Sequence, residues 1–214
     1  MKLKKNKRVL IVIDGSSGSG KSTAAKLFAK KFSFSVLYSG LVYRYAAKKL
    51  LENRPKNKIK YLNSLVKRIN YNKIKKLNLH TPQISSYSAV IAKEKKIRKI
   101  ITNNFQKKFV KRYKKVIVEG RDGAKIFPTA NIKFFVVCKP LKIAAKRRWL
   151  QIKKKQKISF KAVYVDLKKR DFMDKNRKYS KLERHPDSVY INTAKLNKNR
   201  VLKFMEKIVE KKLK

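Results

Sequence analysis

"VLIVIDGSSGSGKST", residues 9–23, decides how the rest of the chain is read. Val9 to Ile13 form a continuous apolar run, the mark of a strand covered on both faces. Gly15, Gly20, Lys21 and Ser22 then satisfy G-x-x-x-x-G-K-[ST], directly after that strand and at the opening of the helically spaced "STAAKLFAKKF". The chemistry explains the spacing. Glycines let the loop curl until backbone N–H groups converge on phosphate oxygens, and the helix start adds partial positive charge. Lys21 reaches the β- and γ-phosphates, and the Ser22 hydroxyl is placed to ligate Mg²⁺. Gly15, Ser16, Ser17, Gly18, Ser19, Gly20, Lys21, Ser22 and Thr23 are therefore expected to cradle a nucleoside triphosphate, ATP in the first instance. A Gly/Ser turn without a ligand is the competing reading, and the full match in its strand–loop–helix setting stands against it.

Working outward, "SVLY" (35–38), "VIVE" (116–119), "IKFFVV" (132–137) and "SVYIN" (188–192) repeat the pattern of short, nearly continuous apolar runs. Between and after them lie helical patterns; in "NRVLKFMEKIVEKKL", Val201, Met205, Ile208 and Val209 share one face. Such alternation predicts an α/β fold, a five-stranded parallel sheet with helices on both faces. Residues 41–112 and 140–180 carry no such runs and are dense in Lys, which reads as helical insertions at one edge of the sheet. No repeat and no Gly/Ser linker divides the chain, so 1–214 is expected to be one domain.

The chain carries 61 Lys and Arg against 12 Asp and Glu, a net charge of +49, with 48 of the cations Lys and 13 Arg. A Lys-rich, Asn- and Ile-rich composition suits an A/T-rich genome and a solvated basic surface, with non-specific polyanion attraction as its side effect. The 43% apolar content is enough for a packed core. The single cysteine, Cys138, excludes an internal disulfide and a cysteine metal cluster and suits a reducing, cytoplasmic setting. The N-terminal basic and apolar segments imitate a signal peptide but are too short. No stretch approaches the roughly 20 apolar residues of a membrane span. Uniform positive charge opposes self-association, so a monomer is expected.

Where Lys is so abundant, the positions that remain Arg are candidates for bidentate anion contacts: Arg44, Arg98, Arg121, Arg147, Arg148, Arg170 and Arg177. The scarce acids also cluster. Asp166, Asp171, Asp174, Glu183 and Asp187 fall within "VDLKKRDFMDKNRKYSKLERHPD", and Glu119 and Asp122 flank Arg121 in "VIVEGRDG". On a helix, Asp171 and Asp174 share a face that Arg170 and Arg177 continue. Ordinary surface ion pairs are the plain reading; a joint grip on a phosphate and a sugar hydroxyl is the functional one. Neither histidine, His80 or His185, sits in a nucleophile or metal pattern.

"IDGSSGSGKST", "YSGLVYR", "IRKI", "EGRD" with "FP" following, "KRRWLQ" and "KKRDFMDKNR" resemble, in order and spacing, the motifs of bacterial cytidylate kinases. The resemblance covers nearly the whole chain. It implies a P-loop kinase fold with a core at about 1–40, 113–146 and 169–214, an acceptor-binding insertion at 41–112 and a short lid at 147–168. It also implies transfer of the ATP γ-phosphoryl group to CMP or dCMP. Arg44, Arg121 and Arg177 would hold the acceptor phosphate, Arg98 and Asp122 the cytosine, and Ser39 and Asp174 the sugar, with Arg170 nearby. Lys21, Arg121, Arg147, Arg148 and Arg177 would stabilise the transferring group. The chain departs from the family pattern at Tyr38 (usually Asp), at Ala89 with Ser88 one place off, at Ala144 (usually Arg), and in "GAKIFP", which is one residue short. These positions touch base selectivity more than reaction type. Two further readings stay open at this level: a P-loop kinase of another small acceptor, and a basic nucleic-acid-binding protein with a vestigial P-loop.

Overall fold

The computed structural model describes residues 8–154 and 157–213. All five expected strands are present: β1 (Val9–Gly15), β2 (Ser35–Tyr38), β3 (Lys115–Gly120), β4 (Ile132–Val137) and β5 (Val189–Asn192). They form one sheet in the order β2-β3-β1-β4-β5, and the β1–β3, β1–β4 and β4–β5 pairs run parallel. Ile11 lies opposite Ile117 on one side and Ile132 on the other. Consecutive residues of a strand point to opposite faces. Because Ile11, Val12 and Ile13 are all fully buried, both faces of β1 are covered. That is why its sequence reads as a run rather than an alternation.

The chain forms two compact units, residues 1–36 with 114–214, and 37–113; it passes from one to the other within β2. In the first unit, α1 (Lys21–Phe32) follows β1, a short α8 (Gly123–Ile126) follows β3, α9 (Leu141–Ile152) follows β4, and α10 (Phe160–Asn176) precedes β5. The closing α11 (Lys198–Leu213) buries Val201, Met205 and Val209, the face expected from its spacing. Strand order reverses about β1, whose neighbours β3 and β4 lead away in opposite directions. Ligands of parallel α/β sheets bind beyond the carboxyl ends of strands at such a point. Here those ends deliver Gly15, Gly120, Val137 and Asn192. At Gly15, β1 and β4 come so close that a Cβ would stand 1.8 Å from the Val136 carbonyl oxygen, so only glycine fits.

The second unit is helical: α2 (Ser39–Asn53), α3 (Lys58–Lys67), α4 (Tyr71–Lys75), α5 (Pro82–Ile91), α6 (Lys95–Ile101) and α7 (Lys107–Arg112). A single π-helical turn, Thr102–Gln106, joins the last two. Its core is Leu62, Val66, Leu79, Ile91, Ile97 and Ile101. Side chains satisfy exposed N–H groups at its helix starts: Asn57 accepts from Lys60, Asn70 from Lys73, and Thr81 from Ile84.

Candidate active site

The loop between β1 and α1 has the conformation its glycines allow. Gly18 and Gly20 adopt φ of 67° and 85°, and Gly20 starts α1 with no side-chain cap and no acid in the first turn. The first-turn N–H groups are thus left to an anion rather than satisfied by the chain's own carboxylates. Lys21 is buried. Its ammonium donates to the Ser16 carbonyl at 2.9 Å and lies 3.5 Å from Glu119 Oε1, which is itself 91% buried at the side chain. Ser19 Oγ is buried and makes no hydrogen bond among the described residues. Ser22 and Thr23 are exposed at the mouth of the loop.

Arg121, at the end of β3, is the hub. Its Nε donates to Asp174 Oδ2 at 2.8 Å and its Nη2 to Ser17 Oγ at 3.1 Å. Asp171, on the same helix as Asp174, accepts from the backbone N–H of Ser17 at 2.7 Å. Arg177 follows α10 with extended backbone, so the expected helical face stops one residue before it. Its guanidinium still turns back to Asp174 Oδ1 at 3.4 Å, and its Nη2 lies 3.9 Å from Asp122 Oδ1. Arg170 is 3.8 Å from Asp166. One cluster therefore joins the phosphate loop, the "GRD" turn and the "RDxxDxNR" segment, three motifs far apart in sequence.

The second unit holds its own set. Arg44, 7% exposed, donates to the Leu79 carbonyl at 3.0 Å and to Ser85 Oγ. Arg98 donates to the Ala92 carbonyl at 2.9 Å and lies over the Tyr43 ring at 5.4 Å. Ser39 opens α2, and Ser88 is buried with its hydroxyl on the Ser85 carbonyl.

The model of the family described as cytidylate kinase matches residues 11–211. A cytidylate kinase of Fusobacterium nucleatum is 34% identical, over 95% of this chain and 98% of the relative. One of Clostridium tetani is also 34% identical, over 95% and 94%, and one of Mesomycoplasma hyopneumoniae is 30% identical, over 97% and 96%. The chain belongs to the cytidylate kinase family. At the level of fold alone, it is similar to a crystal structure of an uncharacterized protein from Eubacterium ventriosum. That protein is 16% identical, with a TM-score of 0.51, over 95% of this chain and 99% of that one.

Electrostatics explain why a cytidylate kinase this basic keeps carboxylates here. Burial opposes charge on Arg121, but Asp174, Glu119 and Asp171 outweigh it and hold the guanidinium more firmly protonated than usual. Burial likewise works against the Asp174 carboxylate, and Arg121 and Arg177 reverse it, leaving its pKa below the ordinary range. Burial, then the like charge of Arg121, pulls Lys21 down to about 8, with Glu119, Asp174 and Asp171 opposing. Lys21 thus remains mostly charged at neutral pH, and an arriving phosphate strengthens that charge further. Arg170 is pulled below its ordinary value by burial, then by Arg121, with Arg148 a further like charge.

Two features were not legible in the sequence. Asp14, 3% exposed at the end of β1, accepts from the N–H groups of Gly123 and Ala124 at 2.9 and 2.8 Å. Burial pushes its pKa up to about 7. It holds the turn after Asp122, the segment one residue shorter than the family pattern. Gly123 is required there, since a Cβ would sit 2.9 Å from Val12 Cγ1 and 3.2 Å from Asp14 Oδ1. The other feature is Arg147. It was expected in a lid over the transferring group, but its Nη2 donates to the carbonyls of Thr193 and Ala194 at 2.9 and 3.0 Å. Thr193 in turn donates its hydroxyl to the Ser19 carbonyl at 2.9 Å. Arg148 makes no hydrogen bond or ion pair among the described residues. Residues 155 and 156 of the expected lid lie outside them.

Mg²⁺ was expected at Ser22, and the donor set fits. Among the described residues no group of three or more His, Cys, Asp or Glu is arranged to hold a metal. Magnesium bound with a nucleotide needs no such cage: one protein oxygen with waters and phosphate oxygens suffices. The exposed Ser22 hydroxyl in the first turn of α1 meets that description.

Proposed function

We propose that the protein transfers the γ-phosphoryl group of ATP to CMP or dCMP, giving ADP and CDP or dCDP. The observation that carries this reading is the placement of Arg121, bonded at once to Ser17 of the phosphate loop and to Asp174 of the acceptor motif. An arginine there would face both anions that must be brought together.

The reaction asks little covalent help from the protein. A nucleoside monophosphate has a second pKa of about 6 and is already a nucleophile at neutral pH, so no general base is required. The barrier lies in aligning two anions and neutralising charge that spreads over the transferring group. Residues 15–23 would cradle ATP, with Lys21 on its β- and γ-phosphates. Arg121 and Arg177 would take the acceptor phosphate, and Asp174 would fix both guanidiniums while meeting the sugar. Arg148 is the lid arginine left to meet the transferring group, since Arg147 serves the 193–196 turn, and Arg170 would lie beside the acceptor. Mg²⁺ held at Ser22 would add Lewis-acid neutralisation of the phosphate oxygens. Ser39, Arg44 and Arg98 are proposed as acceptor contacts on the family resemblance alone. Asp122 would accept from the exocyclic amine of cytosine; uracil presents a carbonyl there, which a carboxylate repels. The reaction would run in the cytoplasm, in a monomer.

A coupled ADP-release assay across CMP, dCMP, UMP, AMP and GMP tests the reading. Magnesium-dependent turnover of CMP and dCMP with UMP far poorer is expected. No turnover of CMP at high enzyme would overturn the function, and equal use of UMP would remove the role given to Asp122.

A further inference from the structure

Three consecutive residues of the phosphate loop are held by α9, α10 and the turn after β5: Ser17 by α10, Gly18 by both helices, and Ser19 by Thr193. The Ser17 N–H donates to Asp171 of α10 at 2.7 Å. A Cβ on Gly18 would stand 3.3 Å from Ala144 Cβ of α9 and 3.4 Å from Leu167 Cδ1 of α10, so the loop tip rests on both helices. The Ser19 carbonyl accepts from Thr193, whose own carbonyl is held by Arg147 of α9. Of these contacts only the one at Ser17 also reaches the acceptor arginine, because Arg121 donates to Ser17 Oγ and to Asp174, three residues after Asp171. Ser17, Asp171, Asp174 and Arg121 close a ring of three hydrogen bonds across the donor loop and the acceptor motif.

We propose that Asp171 is a positioning residue that couples the two substrates: by holding the Ser17 amide, it makes the ATP loop and the acceptor arginine Arg121 adjust as one body. The proposal rests on the function given above. Asp171 touches neither substrate in this scheme. Its carboxylate fixes Ser17, and Ser17 fixes the angle at which Arg121 is presented. ATP entering the loop then sets Arg121 for the acceptor phosphate. By thermodynamic reciprocity, CMP tightens ATP by the same factor.

The test compares CMP affinity by calorimetry with and without a non-hydrolysable ATP analogue, in the full-length wild type, Asp171→Ala and Asp171→Asn. The wild type is expected to bind CMP at least about fivefold more tightly with the analogue present, the lower end of ordinary coupling. Asp171→Ala should lower that ratio to within about twofold, whatever change it makes in the affinity for either ligand alone. Asp171→Asn retains an oxygen for the Ser17 N–H and should keep most of the ratio. A merely structural role would lower the melting temperature and the affinities together and leave the ratio intact. A wild-type-like ratio in Asp171→Ala, no coupling in the wild type, or Asp171→Asn losing the ratio as fully as alanine would each overturn the proposal. If alanine does not fold, Ser17→Ala keeps the amide but removes the Arg121 contact, and it too should lower the ratio; an unchanged ratio there overturns the proposal equally. Failure to phosphorylate CMP at all is a separate outcome that removes the function itself.

Discussion

Asp14→Asn should make this protein more stable and a worse enzyme, and pH should decide by how much. Asp14 is buried, and its pKa rises from 3.8 to about 7 because burial outweighs the two N–H groups it accepts, with Asp122 and Glu119 adding repulsion. A cavity of about 70 Å³ beside it brings Lys125, Lys181, Glu183, Arg184 and His185 within its surroundings. A carboxyl whose pKa is raised on folding is no burden below its unfolded pKa, where both states are protonated. Its cost accrues as pH climbs from about 4 to about 7 and is constant above. About three pKa units at 1.36 kcal/mol each gives about 4 kcal/mol at pH 8. Asparagine, like the protonated acid, is uncharged, although its NH2, unlike a carboxyl hydroxyl, cannot accept from the second N–H. It therefore matches the charge of the low-pH form at every pH, less one hydrogen bond. Thermal melts of wild type and variant at matched ionic strength should shift relative to one another by about 10 °C in the variant's favour between pH 4 and pH 8, taking 2–4 °C per kcal/mol for a chain this size. Comparing the two proteins at each pH cancels the titration of every other group. The variant should meanwhile raise the KM for CMP several-fold, because the Gly123–Ala124 turn that follows Asp122 loses its anchor. A difference in melting temperature independent of pH, or a variant less stable at pH 8, would refute the reasoning.

Lys21→Ala should lower kcat by at least about 10², the scale of removing one donor aimed at developing charge; the ADP-release assay reads it, and near-normal turnover would refute Lys21 as a phosphate ligand. Arg177→Ala should raise the KM for CMP more than tenfold while a fluorescent ATP analogue binds as before; intact CMP kinetics would displace Arg177 from the acceptor site. Arg147→Lys should lose most of what Arg147→Ala loses, since one ammonium cannot serve the Thr193 and Ala194 carbonyls and the Thr193 hydroxyl as a planar fork does. Both should melt about 5 °C lower, from a loss of roughly 1–3 kcal/mol, and raise the KM for ATP through Thr193 and Ser19.

The strands were legible because a parallel sheet buried on both faces writes itself as unbroken apolar runs, and all five runs became strands. The phosphate loop was legible because its glycines and its position after a strand leave little other use for the pattern. The roles inside the cluster were not. "KRRWLQ" presents Arg147 and Arg148 side by side, yet neighbours on a helix point about 100° apart, so only one can face a given partner. Which one turns to the 193–196 turn depends on how α9 packs, not on spacing. Asp14 reads as the polar end of a strand; that it caps a turn more than a hundred residues away depends on the β1–β3 register, which sets Asp14 opposite Gly120. The stop of α10 before Arg177 has no Gly or Pro to announce it. The residues that follow determine it: the Leu182 N–H returns to the Asp174 carbonyl at 2.8 Å.

The distribution of acids explains how the chain carries a charge of +49 without losing a site built on alignment. Of twelve acids, five meet in the first unit's cluster: Asp14, Glu119, Asp122, Asp171 and Asp174. Each faces a cation or a backbone N–H held at a defined distance. Most of the others pair with exposed lysines, as Glu52 does with Lys48 and Lys49, and such pairs are worth little. Exposed lysines repel one another only over a Debye length of about 8 Å at physiological salt, so their number can drift upward at small cost. The same tolerance does not extend to the cluster. There the side chains are buried or half-buried, and an arginine left without its carboxylate would lose the contact that fixes its direction. On the proposed function, the acids retained around Arg121 and Lys21 would serve the phosphate site: they would keep its cations pointed while no anion is there to point them.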